Sequence, residues 1–582
     1  MAESLDAFTL EIIKDKLAAA ADEMGVVLAR TSMSPIVYEV LDYACGVTDA
    51  QAQVVAQTNG LTLFTGTFGP QVQSVIKKFG LAGMRAGDVY MTNDPYQGGT
   101  HNCDVCLVAP VFHGGAVVGF AVSITHWIEI GGAVPGSIPP DATEIYQEGL
   151  QFPCLRLQRD GEMSAAIVDM IEANVRLPQL ALGDLNAGTA AIRIGGQRML
   201  EICDRYGAAA LRQAGESILE QGERLALMEL EKIPEGVYEA EDFIDGDGIS
   251  EEPIPIRVRV TVRDLTLVAD FEGCAAQARG PIKCSWGALH SACKTVFRAI
   301  TDPGARHNDG HFRPFRVLIP PGTVFSAQRP APVGWYYEGS AFATEVLWKA
   351  LASVVPERLG AGSYASLCAS YLVGNDARTG GLFVLAEPND GGWGASRELD
   401  GESGLIATTD GDTYNFPVEV AEARFPVVVE RYELNTEDRG GAGRRRGGLG
   451  LVREYRVVDP AGAVGFGSMG GWQRRPWGLA GGQAGTNNYL EYVLGGRRER
   501  YGRVARVELA CGDRVRIVTG SGGGYGDPRE REPERVEADV RDGYVGVDEA
   551  RDVYGIAVDP QSLAVDQDET ARLRNQQPSV PS

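Results

Sequence analysis

His101, Asp104 and His126 are the residues whose types and spacing most directly suggest metal chemistry in this sequence. The chain holds only six histidines, and two of them fall in the segment Asn93–Gly132 with an acid between them. Two apolar runs, Val105–Phe112 and Ala116–Ile124, are separated there by His113-Gly114-Gly115. A Gly-Gly pair between β-rich runs predicts a two-residue hairpin turn, because both central positions take positive φ without steric cost. With that turn, His113 faces Ala116 and His126 is expected opposite Cys103, flanked by His101 and Asp104. Facing residues of such a pair sit roughly 5 Å apart. In a regular strand His101 and Asp104 would point to opposite faces, so the stretch after Gly98-Gly99 has to be a loop or bulge for both to reach one ion. Two imidazoles and a carboxylate form an open divalent-metal set with one or two positions left for water or substrate. The competing reading is a pair of strand-end histidines that bond locally and cap the sheet.

Other chemistry-bearing residues read more plainly. Cys103-x-x-Cys106 has no second CxxC, and Cys106 belongs to an apolar strand, so both read as packing thiols. By itself Asp42 is an ordinary acid at the start of a strand. Asn93-Asp94-Pro95 carries two side chains able to bond local backbone and reads as a turn. GGAVPGSIPP, directly behind His126, reads as a shaped loop over a site, and Asp141 and Glu144 follow it at helix-start spacing. His290, on a mostly apolar helix, is expected to be a core residue, whereas His307-Asn308-Asp309-Gly310-His311 suits a loop or a site equally. Gly440–Gly450 combines three arginines with flexible backbone and reads as an anion site or an exposed basic turn. GSGGGYG (Gly520–Gly526) follows a strand but lacks the Gly-Lys-Ser/Thr that holds a nucleotide on a helix N-terminus, so no ATP site is assigned.

The elements that must position these residues follow from periodicity. Leu10, Ile13, Leu17, Met24 and Leu28 draw an apolar stripe along a first helix. Short β-like runs, Tyr43–Val47 and Val54–Gln57, come next, then a helical pattern over Gly66–Phe79. Ser164–Tyr206 and Ala208–Lys232 read as helical, and from Val237 the pattern alternates, which places a boundary near 235. Helices are expected over Cys284–Ile300 and Ser340–Val354, with extended chain over 316–334. Val418–Val429 reads as a strand region interrupted by Pro426, Val536–Tyr554 as short helical segments, and Asp559–Ser582 as a polar tail that frays. The fold class expected is α+β or mixed α/β with several domains: an N-terminal α/β domain bearing the metal hairpin over 1–235, a central α+β domain over 236–400, a Gly-rich β domain over 401–530, and a C-terminal helical segment with its tail over 531–582.

At 582 residues, with 44% hydrophobic and 23% charged residues, the chain has the composition of a soluble globular protein. Its net charge of −24 makes nucleic acid and anionic membranes poor partners. No uninterrupted apolar run reaches the ~18 residues of a membrane span, and the start MAESLDAFTLEIIK has no signal-peptide pattern, so a cytoplasmic location is expected. The ten scattered cysteines then read as buried thiols rather than disulfides.

Seven segments together are specific: RTSMSP (Arg30–Pro35), LDYACGVTDA (Leu41–Ala50), NDPYQGGTHNCDV (Asn93–Val105), HWIEIGG (His126–Gly132), PGSIPPDATEIYQEGLQ (Pro135–Gln151), GDLNAG (Gly183–Gly188) and GGGYGDP (Gly522–Pro528). Through them nearly the whole chain resembles the hydantoinase B/oxoprolinase family, which includes the smaller subunit of ATP-dependent hydantoinases and lactamases and subunits of ketone carboxylases. The resemblance implies a divalent metal, Zn or Mn, on Asp42, His101, Asp104 and His126, three of which the hairpin reading already groups. It also implies a hydantoinase A-type partner that holds ATP and phosphorylates the substrate, giving a hetero-oligomer. The activity implied is hydrolysis of a cyclic amide of hydantoin, lactam or oxoproline type, in which metal-activated water opens the phosphorylated ring. A ketone carboxylase subunit and a non-catalytic scaffold for the ATPase are the alternatives. Many family members have His-His where this chain has His126-Trp127, and an Asp at the position of Glu129. Trp127 cannot bind a metal, so no second ion is carried over. Asp94, Glu129, Glu144 and His311 are the candidates for proton transfer or substrate contact.

Overall fold

Asp6 caps the first helix, Ala7–Thr31, by accepting hydrogen bonds from the backbone N–H groups of Phe8 and Thr9. The stripe read from the sequence is its buried face, with Ile13, Leu17, Met24 and Leu28 fully shielded from solvent. The computed structural model describes residues 5–304, 306–411 and 413–575. Of the tail expected to fray, 576–582 lie outside the described residues, while Gln567–Asn575 is a helix.

The N-terminal half is built on a seven-stranded antiparallel sheet. Its strands are β1 (Tyr43–Thr48), β2 (Val54–Gln57), β3 (Val89–Thr92), β4 (Asp104–His113), β5 (Ala116–His126), β6 (Leu155–Arg159) and β7 (Glu162–Met163), in the spatial order β2-β1-β5-β4-β3-β6-β7. The long β4–β5 hairpin therefore lies at its centre, and a central strand buried on both faces explains the near-continuous apolar runs. Gly114 and Gly115 take φ of +61° and +83°, as the turn requires. Helix Pro178–Tyr206 packs on this sheet and against the first helix. Small residues make the approach possible: a Cβ on Gly188 would stand 3.0 Å from Leu107 Cδ1. On the same helix Asp184 accepts hydrogen bonds from the backbone N–H groups of Met33 (2.8 Å) and Ser34 (3.1 Å). The segments GDLNAG and RTSMSP are thus two sides of one contact that turns the chain toward β1.

The expected helix over Ser164–Tyr206 is divided into Ala165–Asn174 and Pro178–Tyr206, because a proline starts the second more readily than it continues the first. The chain changes from helix Ala208–Leu230 to strand Gly236–Ile244. That strand joins a four-stranded sheet with Ile254–Arg263, Thr266–Asp270 and Phe315–Leu318. Helices Trp286–Thr301 and Tyr336–Leu351 pack together beside it. A second four-stranded sheet pairs Ser370–Asp376 with Gly381–Glu387 on one side and Ala463–Ser468 on the other, so strands from both sides of residue 400 share one sheet. A five-stranded sheet of Val427–Leu434, Leu451–Val457, Arg514–Val518, Tyr489–Leu494 and Arg497–Tyr501 completes the mixed α and β architecture.

One element differs in type from the sequence reading. Val418–Arg424 is a helix, and the strand begins only at Val427, after Pro426. Glu419, Ala421, Glu422 and Ala423 are good helix formers, and only Ala421 of this turn is buried, so local propensity decides.

The glycine-rich stretches form neither phosphate loops nor ordinary ladders. Segments near 361–362, 391–395, 440–450, 476–485 and 520–526 run alongside one another and exchange backbone hydrogen bonds: Gly522 N–H to Gly448 O, Gly448 N–H to Trp393 O, Gly523 N–H to Gly362 O, and Gly524 N–H to Gln483 O, each 2.8–2.9 Å. The backbones lie so close that a Cβ on Gly522 would overlap the Trp393 carbonyl, and one on Gly482 the Gly524 carbonyl. All ten cysteines are free thiols, and all but Cys511 are buried. No described helix is long and apolar enough to cross a membrane.

A candidate metal centre at the end of the central hairpin

The turn that delivers His101 begins at Asn93. Its amide donates to Asn102 O (2.6 Å) and Leu150 O (2.9 Å), and its Oδ1 accepts from Phe152 N–H (2.6 Å). Gly98 adopts φ of +100°, and a Cβ there would stand 2.6 Å from Pro70 Cβ; the Ser285 hydroxyl holds Gly99 O. The chain then closes a tight turn, Asp104 N–H to His101 O at 3.1 Å, which puts both side chains on one side. This is the loop that the sequence argument required.

The hairpin register differs from the expectation. A bulge between Val111 and Phe112 offsets the ladder, so His126 pairs with Asp104 rather than with Cys103. The offset brings a carboxylate, not a thiol, directly across from the imidazole. Asp104 Oδ1 lies 2.9 Å from His101 Nε2 and 3.0 Å from His126 Nδ1, and these two nitrogens are 3.2 Å apart. Asp42, from the loop before β1, reaches the same point: its Oδ2 is 3.8 Å from His126 Nδ1, and its backbone carbonyl accepts the His126 N–H at 3.1 Å. The structure thus brings Asp42, His101, Asp104 and His126 into one cluster.

The second contacts of these side chains fix their aim. His101 Nδ1 donates to Gly334 O at 2.8 Å, which turns Nε2 toward the cluster. The Thr100 hydroxyl donates to Asp104 Oδ2 at 2.5 Å. Asp42 Oδ1 is buried and has no hydrogen-bond partner among the described residues. Burial pushes the Asp42 carboxyl up to about 8, with His126 opposing and Asp104 adding to the effect. Asp104 is more deeply buried, but His101 and His126 overcome the desolvation and hold it well below the usual carboxylate range. Two imidazoles, two carboxylates and one orphaned buried oxygen form a donor set that suits a divalent cation. The Cys103 thiol also lies within 4.8 Å of the two imidazoles, a neighbour the sequence reading assigned to packing.

The cluster floors a small cavity of about 40 Å³, enough for an ion and a water. Its other walls come from far along the chain: Tyr336, Tyr337, Tyr371 and Asp410. The Tyr336 ring stands edge-on to His101, with centroids 4.8 Å apart. Asp410, 4% exposed, has its carboxyl raised to about 7 by burial, with Thr413 lowering it and Asp104 raising it further. The sequence reading missed Asp410, whose setting TTDGDTYN resembles any polar turn.

The four acid–base candidates lie elsewhere. Asp94 caps a short turn, accepting from Tyr96 N–H (3.0 Å), and pairs with Arg329 at 3.3 Å. Glu129 is fully enclosed by Arg176, the Ser137 hydroxyl and the Gly131 N–H, an anchor for the GGAVPGSIPP loop. Glu144 is an exposed cap of the turn Ile145–Glu148. His311 is buried against helix Ala208–Leu230 in a turn with Asn308, its basicity lowered to about 4 by burial and by Arg298. His290 is half-buried with its ring edge-on to Trp286, and burial depresses it likewise to about 4.

Comparison with known proteins agrees with this architecture. The family model described as Hydantoinase B/oxoprolinase matches residues 6–528. The B-type subunit of a putative D-/L-hydantoinase from Pseudomonas sp. (strain NS671) is 32% identical over 594 residues, covering 98% of each chain. The beta subunit of the Pseudomonas jessenii caprolactamase is 30% identical, covering 96% of this chain and 97% of its own. The crystal structure of the ATP-dependent caprolactamase from Pseudomonas jessenii superposes with a TM-score of 0.91 at 28% identity, covering 99% of this chain and all of that one. A nucleotide-free acetone carboxylase gives the same TM-score at 20% identity over 98% of this chain and 82% of the other, a likeness of fold alone. With a match that spans the central hairpin and the glycine-rich layers alike, the chain belongs to the hydantoinase B/oxoprolinase family.

Proposed function

We propose that this chain is the metal-bearing subunit of an ATP-dependent cyclic amide hydrolase and receives a ring phosphorylated by a separate ATP-binding, hydantoinase A-type subunit. The observation that carries the reading is the convergence of Asp42, His101, Asp104 and His126 at the floor of a buried pocket. The hydantoinase and caprolactamase relatives are each named as one subunit of a larger enzyme, which supports a partner, and the caprolactamase supports an amide substrate.

Asp42, Asp104, His101 through Nε2 and His126 through Nδ1 would hold the divalent ion, zinc or manganese. When bound, such an ion polarises oxygen and lowers the pKa of water toward about 7. The protein's own groups do the rest. The Gly334 carbonyl keeps the proton of His101 on Nδ1, and the Thr100 hydroxyl orients Asp104. Tyr336, Tyr337 and Tyr371 line the cavity beside these ligands and limit bulk water there. An amide carbon is a poor electrophile, and phosphorylation of its oxygen by the partner makes it attackable. Water then adds to that carbon, the C–N bond opens as nitrogen takes a proton, and the resulting acyl phosphate is hydrolysed to carboxylate and phosphate. Asp410 is the group in the pocket placed to hold the proton for the ring nitrogen, a role that passes to it from Asp94, Glu129, Glu144 and His311, none of which lines the cavity.

The test uses the full chain with and without its ATP-binding partner. Alone it is expected to carry about one divalent ion and to hydrolyse no ATP, and His126→Ala should lose the ion while keeping the fold. With the partner, a lactam should stimulate ATP hydrolysis without bicarbonate. Strict bicarbonate dependence would replace this reading with ketone carboxylation, and full coupled activity in metal-free His126→Ala would replace it with a scaffold role.

A further inference from the structure

We propose that Glu148 is a positioning residue that sets the tautomer and aim of His101 through the Val333-Gly334 turn. The proposal rests on the reading of His101 as a metal ligand. Glu148 ends the short turn Ile145–Glu148 and is 1% exposed. Its two carboxylate oxygens are both occupied by one stretch of backbone: Oε2 accepts the Val333 N–H at 3.0 Å and Oε1 accepts the Gly334 N–H at 2.7 Å. The carbonyl of Gly334 is the acceptor of His101 Nδ1, at 2.8 Å. Three residues distant in sequence are thereby linked in a line, carboxylate to turn to imidazole.

The geometry makes the link stiff. A carboxylate that receives two adjacent N–H groups fixes the orientation of both peptide planes preceding the Gly334 carbonyl. The next plane, which contains that carbonyl, is fixed by the Trp335 N–H bonded to Pro281 O at 3.1 Å. Residue 334 has no side chain for a reason visible at this contact, since a Cβ there would stand 2.9 Å from Glu148 Oε1. Immediately after the turn the chain enters helix Tyr336–Leu351, whose first two residues are the pocket tyrosines. Burial raises the Glu148 carboxyl to about 8, and the Val333 and Gly334 N–H groups, with the Lys283 ammonium, oppose that rise and favour the carboxylate. Within the segment PGSIPPDATEIYQEGLQ, then, the acid that bears on the site is Glu148, while Glu144 is exposed.

A carboxylate that served only stability would leave the ligand field unchanged when removed. Positioning partners of a metal-bound histidine cost typically ~10–100-fold in metal affinity. The experiment loads the full chain with cobalt(II), measures affinity by chelator competition and records the visible ligand-field bands. Glu148→Gln keeps the size but places an NH2 donor against a backbone donor; it is expected to bind cobalt about 10–100-fold more weakly with altered bands. Gly334→Ala, which crowds the same carboxylate from the other side, should reproduce the spectral change and serves if Glu148→Gln does not fold. The control is Glu345→Gln, a buried carboxylate held by Ser363 and Arg474 away from the pocket, which should keep wild-type affinity and bands. Wild-type affinity and bands in both Glu148→Gln and Gly334→Ala, or an equal loss in Glu345→Gln, would overturn the proposal while leaving the metal reading intact. Failure of the wild-type chain to bind cobalt would instead remove the metal reading on which it rests.

Discussion

Glu338 offers a test of how burial is balanced beside the pocket. It lies on the helix that begins with the pocket tyrosines, is fully buried, and accepts a hydrogen bond from the Ser366 hydroxyl at 2.8 Å. Desolvation raises its carboxyl from the usual 4.5 to about 7, against the opposing effects of Arg503 and Ser366. The folded state therefore binds this proton more tightly than the unfolded chain does. Its contribution to stability is fully present below pH 4.5 and is lost as pH rises through about 7. The gap corresponds to about 3 kcal/mol, at about 1.4 kcal/mol per tenfold change in proton affinity. Glu338→Gln removes the titration, so the variant should gain on the wild type between pH 5 and pH 8 by up to that amount. With an unfolding entropy near 2 cal/mol/K per residue, the difference in Tm should change by about 2–3 °C over this range if the chain unfolds as a unit. Differential scanning calorimetry of both proteins in a series of buffers measures it. A difference between variant and wild type that stays flat from pH 5 to pH 8 would refute the argument that Glu338 carries an unbalanced desolvation cost.

Three further outcomes are expected. With the ATP-binding partner present, Asp410→Asn should lower lactam-stimulated turnover about 10²–10⁴-fold, the usual contribution of an acid–base group, while cobalt binding by the isolated chain stays near wild type. Burial depresses His307 to about 3 and His311 to about 4, each with help from Arg298, so the unfolded chain takes up these protons first; stability should fall as pH drops from about 6.5 toward 4, and His311→Gln should flatten that limb of a Tm profile. Gly522→Ala places a methyl group against the Trp393 carbonyl with no flexible side chain to yield, and should destabilise by at least the ~1–3 kcal/mol of an overpacked core, read as a lower Tm or a loss of soluble protein.

How far the site was legible follows from where its parts lie along the chain. His101, Asp104 and His126 come from one hairpin, so alternation and a Gly-Gly turn were enough to bring them near one another. The pairing of His126 was one residue off because the Val111/Phe112 bulge leaves the apolar pattern undisturbed and so has no sequence signature. Asp42 stood out only through the family resemblance, since a strand-entry acid has no periodicity of its own. Asp410 and the tyrosines of the far wall enter from more than 200 residues downstream, a distance that local pattern does not span. The acids that looked most chemical in the motifs, Glu129 and Glu144, are respectively an anchor for a loop and the cap of a turn. Among the larger elements, long helices and buried strands were plain because burial imposes a period. The short Val418–Arg424 helix was not, because with one buried residue it has no period to read.

The interleaved glycine segments carry a cost that appears only when the chain has to find them. In an ordinary strand a slip of one residue exposes the apolar face, and that penalty guards the alignment. Here the guard is of another kind: a slip of one residue would put Arg446 or Leu449 where only a glycine fits, since a Cβ at Gly447 or Gly448 already meets a backbone carbonyl. At the margins the alignment is also anchored by Trp393, whose indole N–H reaches Ile406 O, and by Thr519, whose hydroxyl donates to Asp390 O. Only one alignment of these segments is free of clashes, so refolding of this protein should be slowest in that layer and slower still when one of these glycines is replaced.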